Sequence, residues 1–141
     1  MNLMGLDIGT RRIGVALSRG SNIIASPLTT LVYDDEEKVM AEIASIAGKE
    51  KIEIVVYGLP VDHAGTGAQE AKVAAFVERL KPRVPAEFVG VDESFTTRTA
   101  EKAMSEMGVR RTRKKELVDR LAAVLILQSY IDSRADGRNK K

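Results

Sequence analysis

The chain has 141 residues, 44% of them apolar and 30% charged, the size and balance of one ordinary globular domain. It has no cysteine, which excludes disulfides and thiolate metal sites, so any metal must be held by oxygen ligands or by the single histidine, His63. The net charge of +2 does not by itself announce a nucleic-acid binder, no apolar run approaches a membrane span, and Asp7 falls where a secretion signal needs its apolar stretch, so a cytoplasmic protein is expected.

Residues 3–8 and 13–18 are short apolar runs separated by Gly9-Thr10-Arg11-Arg12, the pattern of a β-hairpin. Residues 23–32 are rich in apolar and β-branched types but contain Pro27, which predicts a third strand at a sheet edge. From Asp35 to Lys49 the period turns helical, with Val39, Ile43 and Ile46 on one face and Gly48 as the expected stop. Residues 52–58 are a continuous β-rich run, as expected of a strand buried on both faces. Pro60, Gly65 and Gly67 mark 59–67 as a loop.

A second helix is predicted over 68–80, with Val73, Phe76, Val77 and Leu80 toward the core. Pro82 and Pro85 bracket the turn into a strand at 87–91. A third helix is expected over 97–107, capped by Thr96 or Thr97 and ended by Gly108. A strongly apolar last helix follows over 115–133, and residues 134–141 form a polar, basic tail expected to be disordered. The domain therefore spans 1–133. Three antiparallel-compatible strands followed by βαβ units with right-handed crossovers predict an α/β fold, a five-stranded mixed sheet with helices on both faces.

Three acids stand where carboxylates are costly or useful. Asp7 interrupts the first apolar strand, where a cation or hydrogen bonds must compensate its burial, and Gly9 beside it allows close approach of a backbone or a ligand. Asp7 can instead bond the hairpin turn. Asp92 and Glu93 end the last predicted strand, the end of an α/β sheet at which sites form. Strand alternation sends them to opposite faces, and Glu93 is favoured for its reach. Asp119 shares a helix face with Ala122, Ala123 and Ile126; it serves either a site or a salt bridge to a nearby Lys or Arg. Small neighbours would let that helix pack close to the sheet and bring Asp119 toward Asp7.

Carboxylates from three elements suit hard cations such as Mg²⁺ or Mn²⁺, which bind oxygen and can keep positions open for substrate phosphate. Arg110, Arg111, Arg113, Lys114 and Lys115 fall within six residues and offer contacts to a nucleic-acid backbone, or simply a solvated loop. His63 is expected to be an exposed loop side chain outside the site.

Leu6-Asp7-Ile8-Gly9-Thr10-Arg11-Arg12-Ile13-Gly14-Val15-Ala16 resembles the opening motif of the YqgF/RuvX family of pre-16S ribosomal RNA nucleases, also described as Holliday-junction-resolvase-like. Tyr57-Gly58-Leu59-Pro60, Asp92-Glu93-Ser94-Phe95-Thr96-Thr97, and the segment from Arg113-Lys114-Lys115 through Val118-Asp119-Arg120-Leu121-Ala122-Ala123 to Tyr130 resemble its later motifs, so the likeness runs from Leu3 to Asp132. It implies an RNase H-like fold, a metal-dependent nuclease maturing the 5′ end of 16S rRNA, and active-site acids at Asp7, Glu93 and Asp119. Two positions depart from the pattern. Ser94-Phe95 stands where the family usually has Arg-Leu, which removes an arginine able to touch phosphate, and the loop 61–67 is shorter and differently composed.

Three other readings compete. A four-way DNA junction is an alternative substrate. Asp7-Ile8-Gly9-Thr10 also resembles the first phosphate loop of sugar kinases and actin-like ATPases, but those need a second domain and a later glycine-rich loop. A non-catalytic RNA-binding module would use the basic segment 110–115 without cutting. No interface is evident, and a monomer is expected for a processing nuclease.

Overall fold

In the computed structural model, which describes residues 1–20, 24–60, 67–92 and 121–134, the short apolar runs become strands. Strand β1 (Leu3–Ile8) pairs antiparallel with β2 (Arg12–Ser18), in register from Leu3 opposite Ser18 to Ile8 opposite Ile13. The turn closes on Gly9, whose N–H donates to the Arg12 carbonyl at 2.9 Å, and a Cβ on Gly9 would sit 2.8 Å from that oxygen. Glycine is thus required by the hairpin's own backbone. Strand β3 (Ser26–Val32) adds antiparallel to β2, with Pro27 opposite Ala16 beside a register shift at Val15 and Ala16. It forms one edge of the sheet, where a residue lacking an N–H is tolerated.

Strand β4 (Ile54–Leu59) lies parallel to β1, and β5 (Glu87–Asp92) parallel to β4, giving the order β3-β2-β1-β4-β5. The expected mixed sheet of five strands is observed, with β4 running through Leu59.

Helix α1 (Glu36–Lys49) starts where the Asp35 side chain accepts from the N–H groups of Glu37 and Lys38. It buries Val39, Met40, Ile43 and Ala47, while Ile46 is only partly buried. The apolar stripe is centred between Val39 and Met40, which moves Ile46 to its shoulder. Gly48 does not stop this helix. The chain turns at Lys51, in the left-handed region at φ 51°, where Ile52 N–H donates to the Ala47 carbonyl and Lys51 N–H to that of Gly48. This is a Schellman closure with lysine where glycine is favoured, and Ile52 and Ala47 beside it are both buried in the core. A left-handed conformation costs an L-residue about 1–2 kcal/mol, partly offset by the greater chain entropy that glycine loses. Lys51→Gly is therefore expected to stabilise the protein by about 0.5–1 kcal/mol, read as a rise of a few degrees in melting temperature.

Helix α2 (Ala68–Leu80) buries Val73, Phe76, Val77 and Leu80, as its period predicts, and a 3-10 turn at Lys81–Arg83 leads into β5. Both α1 and α2 pack on one face of the sheet, against Met4, Leu6, Ile8, Ile13, Val15 and Val55. Residues 121–134 are helical and cover the opposite face, where Ala123, Ile126, Leu127 and Ile131 meet Leu3, Ala16, Ile54 and Val56. The closest approach is at Gly5: a Cβ there would lie 2.7 Å from both the Ala123 carbonyl oxygen and Leu127 Cβ. Gln128 reinforces the seam, its Oε1 accepting from Ala25 N–H at 2.9 Å. Among the described residues no helix is long and apolar enough to cross a membrane. The expected helix at 97–107, the basic segment, residues 61–66 with His63, and the tail from 135 lie outside the described residues.

Candidate active site

Alternation along β1 sends Met4, Leu6 and Ile8 into the core beneath α1 and α2, and turns Leu3, Gly5 and Asp7 toward the closing helix. Asp7 is the last of that set, at the carboxyl end of a central strand, half-buried and opposite Gly14 of β2. A Cβ on Gly14 would touch Asp7 Cβ at 3.7 Å and Ala123 Cβ at 3.4 Å, so Asp7 and Ala123 flank one small gap that glycine keeps open. Asp7 makes no hydrogen bond or ion pair among the described residues, so it does not bond the hairpin turn. No buried side-chain oxygen among them lacks a partner, so solvent reaches its carboxylate. Arg11 and Arg12 are exposed on the adjoining turn.

Strand β5 carries the same logic. Phe88 packs toward the α1/α2 side, and Val89 and Val91 pack toward the closing helix. Asp92, the last residue of β5 and opposite Leu59, is exposed and falls by alternation on the α1/α2 side, away from Asp7. Glu93, Asp119, Arg110, Arg111, Lys114 and Lys115 lie outside the described residues. Among the described residues no group of three or more His, Asp or Glu side chains is assembled to hold a metal. A solvent-reachable carboxylate with no partner among those residues still suits a hard cation, which takes oxygen donors and fills its remaining positions with water.

The sequence did not signal a second feature at the same end of β1. A cleft of about 290 Å³ opens on the α1/α2 side between the Gly9–Thr10 turn, Tyr33 and the α2 residues Gln69, Lys72, Phe76 and Arg79. In sequence these polar residues look like the wet shoulder of any amphipathic helix. Only the fold sets them against the hairpin tip.

Comparison with known proteins settles the lineage. Residues 1–133 match the family described as "RuvX: Holliday junction resolvase". The chain belongs to the RuvX family. Its relatives include a "Putative pre-16S rRNA nuclease" of Desulforudis audaxviator, 43% identical over 140 residues and covering 99% of both chains. A protein of the same name from Thermoanaerobacter pseudethanolicus is 40% identical over 136 residues, 95% of this chain and 98% of its own. Among solved structures, Thermus thermophilus RuvC in complex with a Holliday junction substrate superposes with a TM-score of 0.63 at 14% identity, covering 96% of each chain. A fowlpox virus Holliday junction resolvase gives 0.52 at 13% identity, with 94% and 99% of the two chains covered. These two likenesses show the fold, which is RNase H-like. The RuvX family is one of nucleases, hydrolases of phosphodiester bonds, and membership replaces the sugar-kinase reading of Asp7-Ile8-Gly9-Thr10.

Proposed function

We propose that the chain is a metal-dependent nuclease that processes the 5′ end of pre-16S rRNA in the cytoplasm, acting as a monomer, with Asp7, Glu93 and Asp119 as its catalytic and metal-binding carboxylates. The observation that carries this reading is Asp7 itself, without a partner among the described residues, at a central strand end and facing the seam with the closing helix. The other two acids are supported by parity and spacing. Val89 and Val91 give odd positions of β5 the closing-helix side, which favours Glu93 over Asp92. Asp119 precedes Ala123 by four residues, the spacing of one helical turn, and Ala123 borders the gap beside Asp7. Divalent cations such as Mg²⁺ or Mn²⁺ at a carboxylate cluster activate water and stabilise the leaving oxygen. This chain's part is to present Asp7 at the end of a central strand and to bring the other two carboxylates to it.

The names of the relatives support ribosomal RNA as substrate, whereas the family description supports a second reading, cleavage of a four-way DNA junction. The deciding experiment offers end-labelled precursor 16S rRNA 5′ segment and a four-way junction to the protein with Mg²⁺, Mn²⁺ or EDTA. Cutting of the RNA with either metal and none in EDTA is expected. Cutting of the junction alone would install the second reading, and a folded, metal-supplied protein that cuts neither would refute both.

Substrate grip is assigned to the basic segment. Replacing Arg110, Arg111, Lys114 and Lys115 together by alanine is expected to weaken RNA binding and flatten its salt dependence, by up to about 0.7–0.9 in log–log slope for each phosphate left without its cation. Filter binding across a salt series reads this directly. An unchanged slope would remove the segment from the interface.

A further inference from the structure

The cleft on the α1/α2 side of the β1 end has a built character that the carboxylate site does not use. Its floor is apolar and dry, made by Ile8, Val73 and Phe76 at 6%, 1% and 1% exposure. One wall is Tyr33, whose ring packs on Phe76 with centroids 5.6 Å apart and whose N–H donates to the Arg11 carbonyl at 2.7 Å. That bond ties the wall to the hairpin turn that follows Asp7. The rim is polar: Thr10 and Lys72 are exposed, and Gln69 is half-buried. Arg79 is engaged by the Glu36 carboxylate, whereas Lys72 has no ion-pair partner among the described residues. An apolar floor with one aromatic wall, an ammonium unpaired among the described residues and neutral hydrogen-bonding groups at the lip is the chemistry that accepts a base and its phosphate.

We infer that this cleft binds one unpaired nucleotide of the substrate strand, its base against Tyr33 over the Phe76 floor and its phosphate at Lys72. The cleft is at the small end of ligand sites, which span roughly 300–1,000 Å³, and so suits a single splayed nucleotide and not a duplex. This deepens the nuclease reading and rests on it. It makes a single-stranded flank, next to the cut, part of what the protein selects.

The test uses the full chain in two arms. In the first, AMP, UMP and inorganic phosphate are titrated in without divalent metal, and the backbone amides are followed by NMR. Saturable shifts by the nucleotides at Gly9, Thr10, Tyr33, Gln69 and Lys72 are expected, with phosphate weaker. Lys72→Ala, at an exposed helix position, is expected to lower nucleotide affinity about tenfold, whereas Lys49→Ala on α1 leaves it unchanged. In the second arm, cleavage with Mg²⁺ compares RNA duplexes with and without an unpaired flank. Lys72→Ala is expected to raise KM for the flanked substrate only. Absence of saturable binding at millimolar AMP, or equal binding by Lys72→Ala, would overturn the assignment while leaving cleavage intact. Nucleotide binding with unchanged KM for the flanked substrate would also overturn it, in favour of a free nucleotide as occupant. Loss of the nuclease reading would show separately, as no cleavage of either duplex by wild type.

Discussion

Asp7→Asn is expected to lower metal-dependent cleavage by about a thousandfold or more, some 4 kcal/mol of lost transition-state stabilisation, while leaving the fold intact. The two halves of that expectation have separate causes. Asparagine has nearly the shape of aspartate but lacks the charge that recruits a divalent cation, so a cluster missing one carboxylate holds metal poorly. The fold should not notice, because Asp7 is half-buried and makes no hydrogen bond or ion pair among the described residues. Removing an uncompensated charge from such a place is neutral or mildly stabilising. Single-turnover cleavage and a thermal melt on the same preparation separate the two effects. Without metal the variant should also bind RNA at least as well as wild type, because a negative charge has left the phosphate path. A large fall in melting temperature alongside the loss of activity would make Asp7 a structural residue and return the site to open question.

Gly5→Ala is expected to destabilise the protein by about 3 kcal/mol and to lower cleavage with it. The added methyl would lie 2.7 Å from a backbone oxygen, that of Ala123, and from the Cβ of Leu127, neither of which is the free end of a flexible side chain. The closing helix must therefore move outward as a body. That loosens the apolar seam of Ile126, Leu127 and Ile131 against Leu3, Ile54 and Val56, and shifts Ala123 away from the gap beside Asp7. A loss of that size is a large part of the stability of a typical domain. Gly14→Ala supplies the contrast. Its methyl would meet Ala123 and Asp7 at 3.4 and 3.7 Å, ordinary contact distances, and should cost no more than about 1 kcal/mol. Urea unfolding of the two variants should rank them in that order, and equal midpoints would mean that the helix does not ride on Gly5.

Most of the architecture was legible because its signals are local. The α2 stripe of Val73, Phe76, Val77 and Leu80 repeats at helical period, and Pro27 consigns its strand to an edge. The end of α1 was not legible. Gly48 looks like a stop, yet the left-handed position is three residues on, at Lys51, because the closure is set by where Ile52 must enter the core. Nor was the role of Gly5, since a glycine within a strand reads as weakness until the helix pressed against it is seen. At the site, Asp7 was legible as an acid interrupting an apolar strand, whereas the face it takes became visible only with the closing helix in place. Glu93 and Asp119 lie outside the described residues, so the choice between Asp92 and Glu93 stays an expectation from the sequence. The cleft residues Lys72 and Tyr33 carried no signal, because their meaning depends on a hairpin tip roughly sixty residues of chain away from the lysine and roughly twenty from the tyrosine, a juxtaposition no local pattern encodes.

The seam between Gly5 and Ala123 also orders events in time. During synthesis β1 emerges well before the closing helix, so the face of the sheet formed by Leu3, Ala16, Ile54 and Val56 stays uncovered until Ile126, Leu127 and Ile131 arrive. Until then the nascent chain carries a sticky apolar surface and, on the proposed site, too few carboxylates to cut. On the proposed site, cutting would therefore wait until the closing helix docks, whatever nucleic acid lies nearby during synthesis.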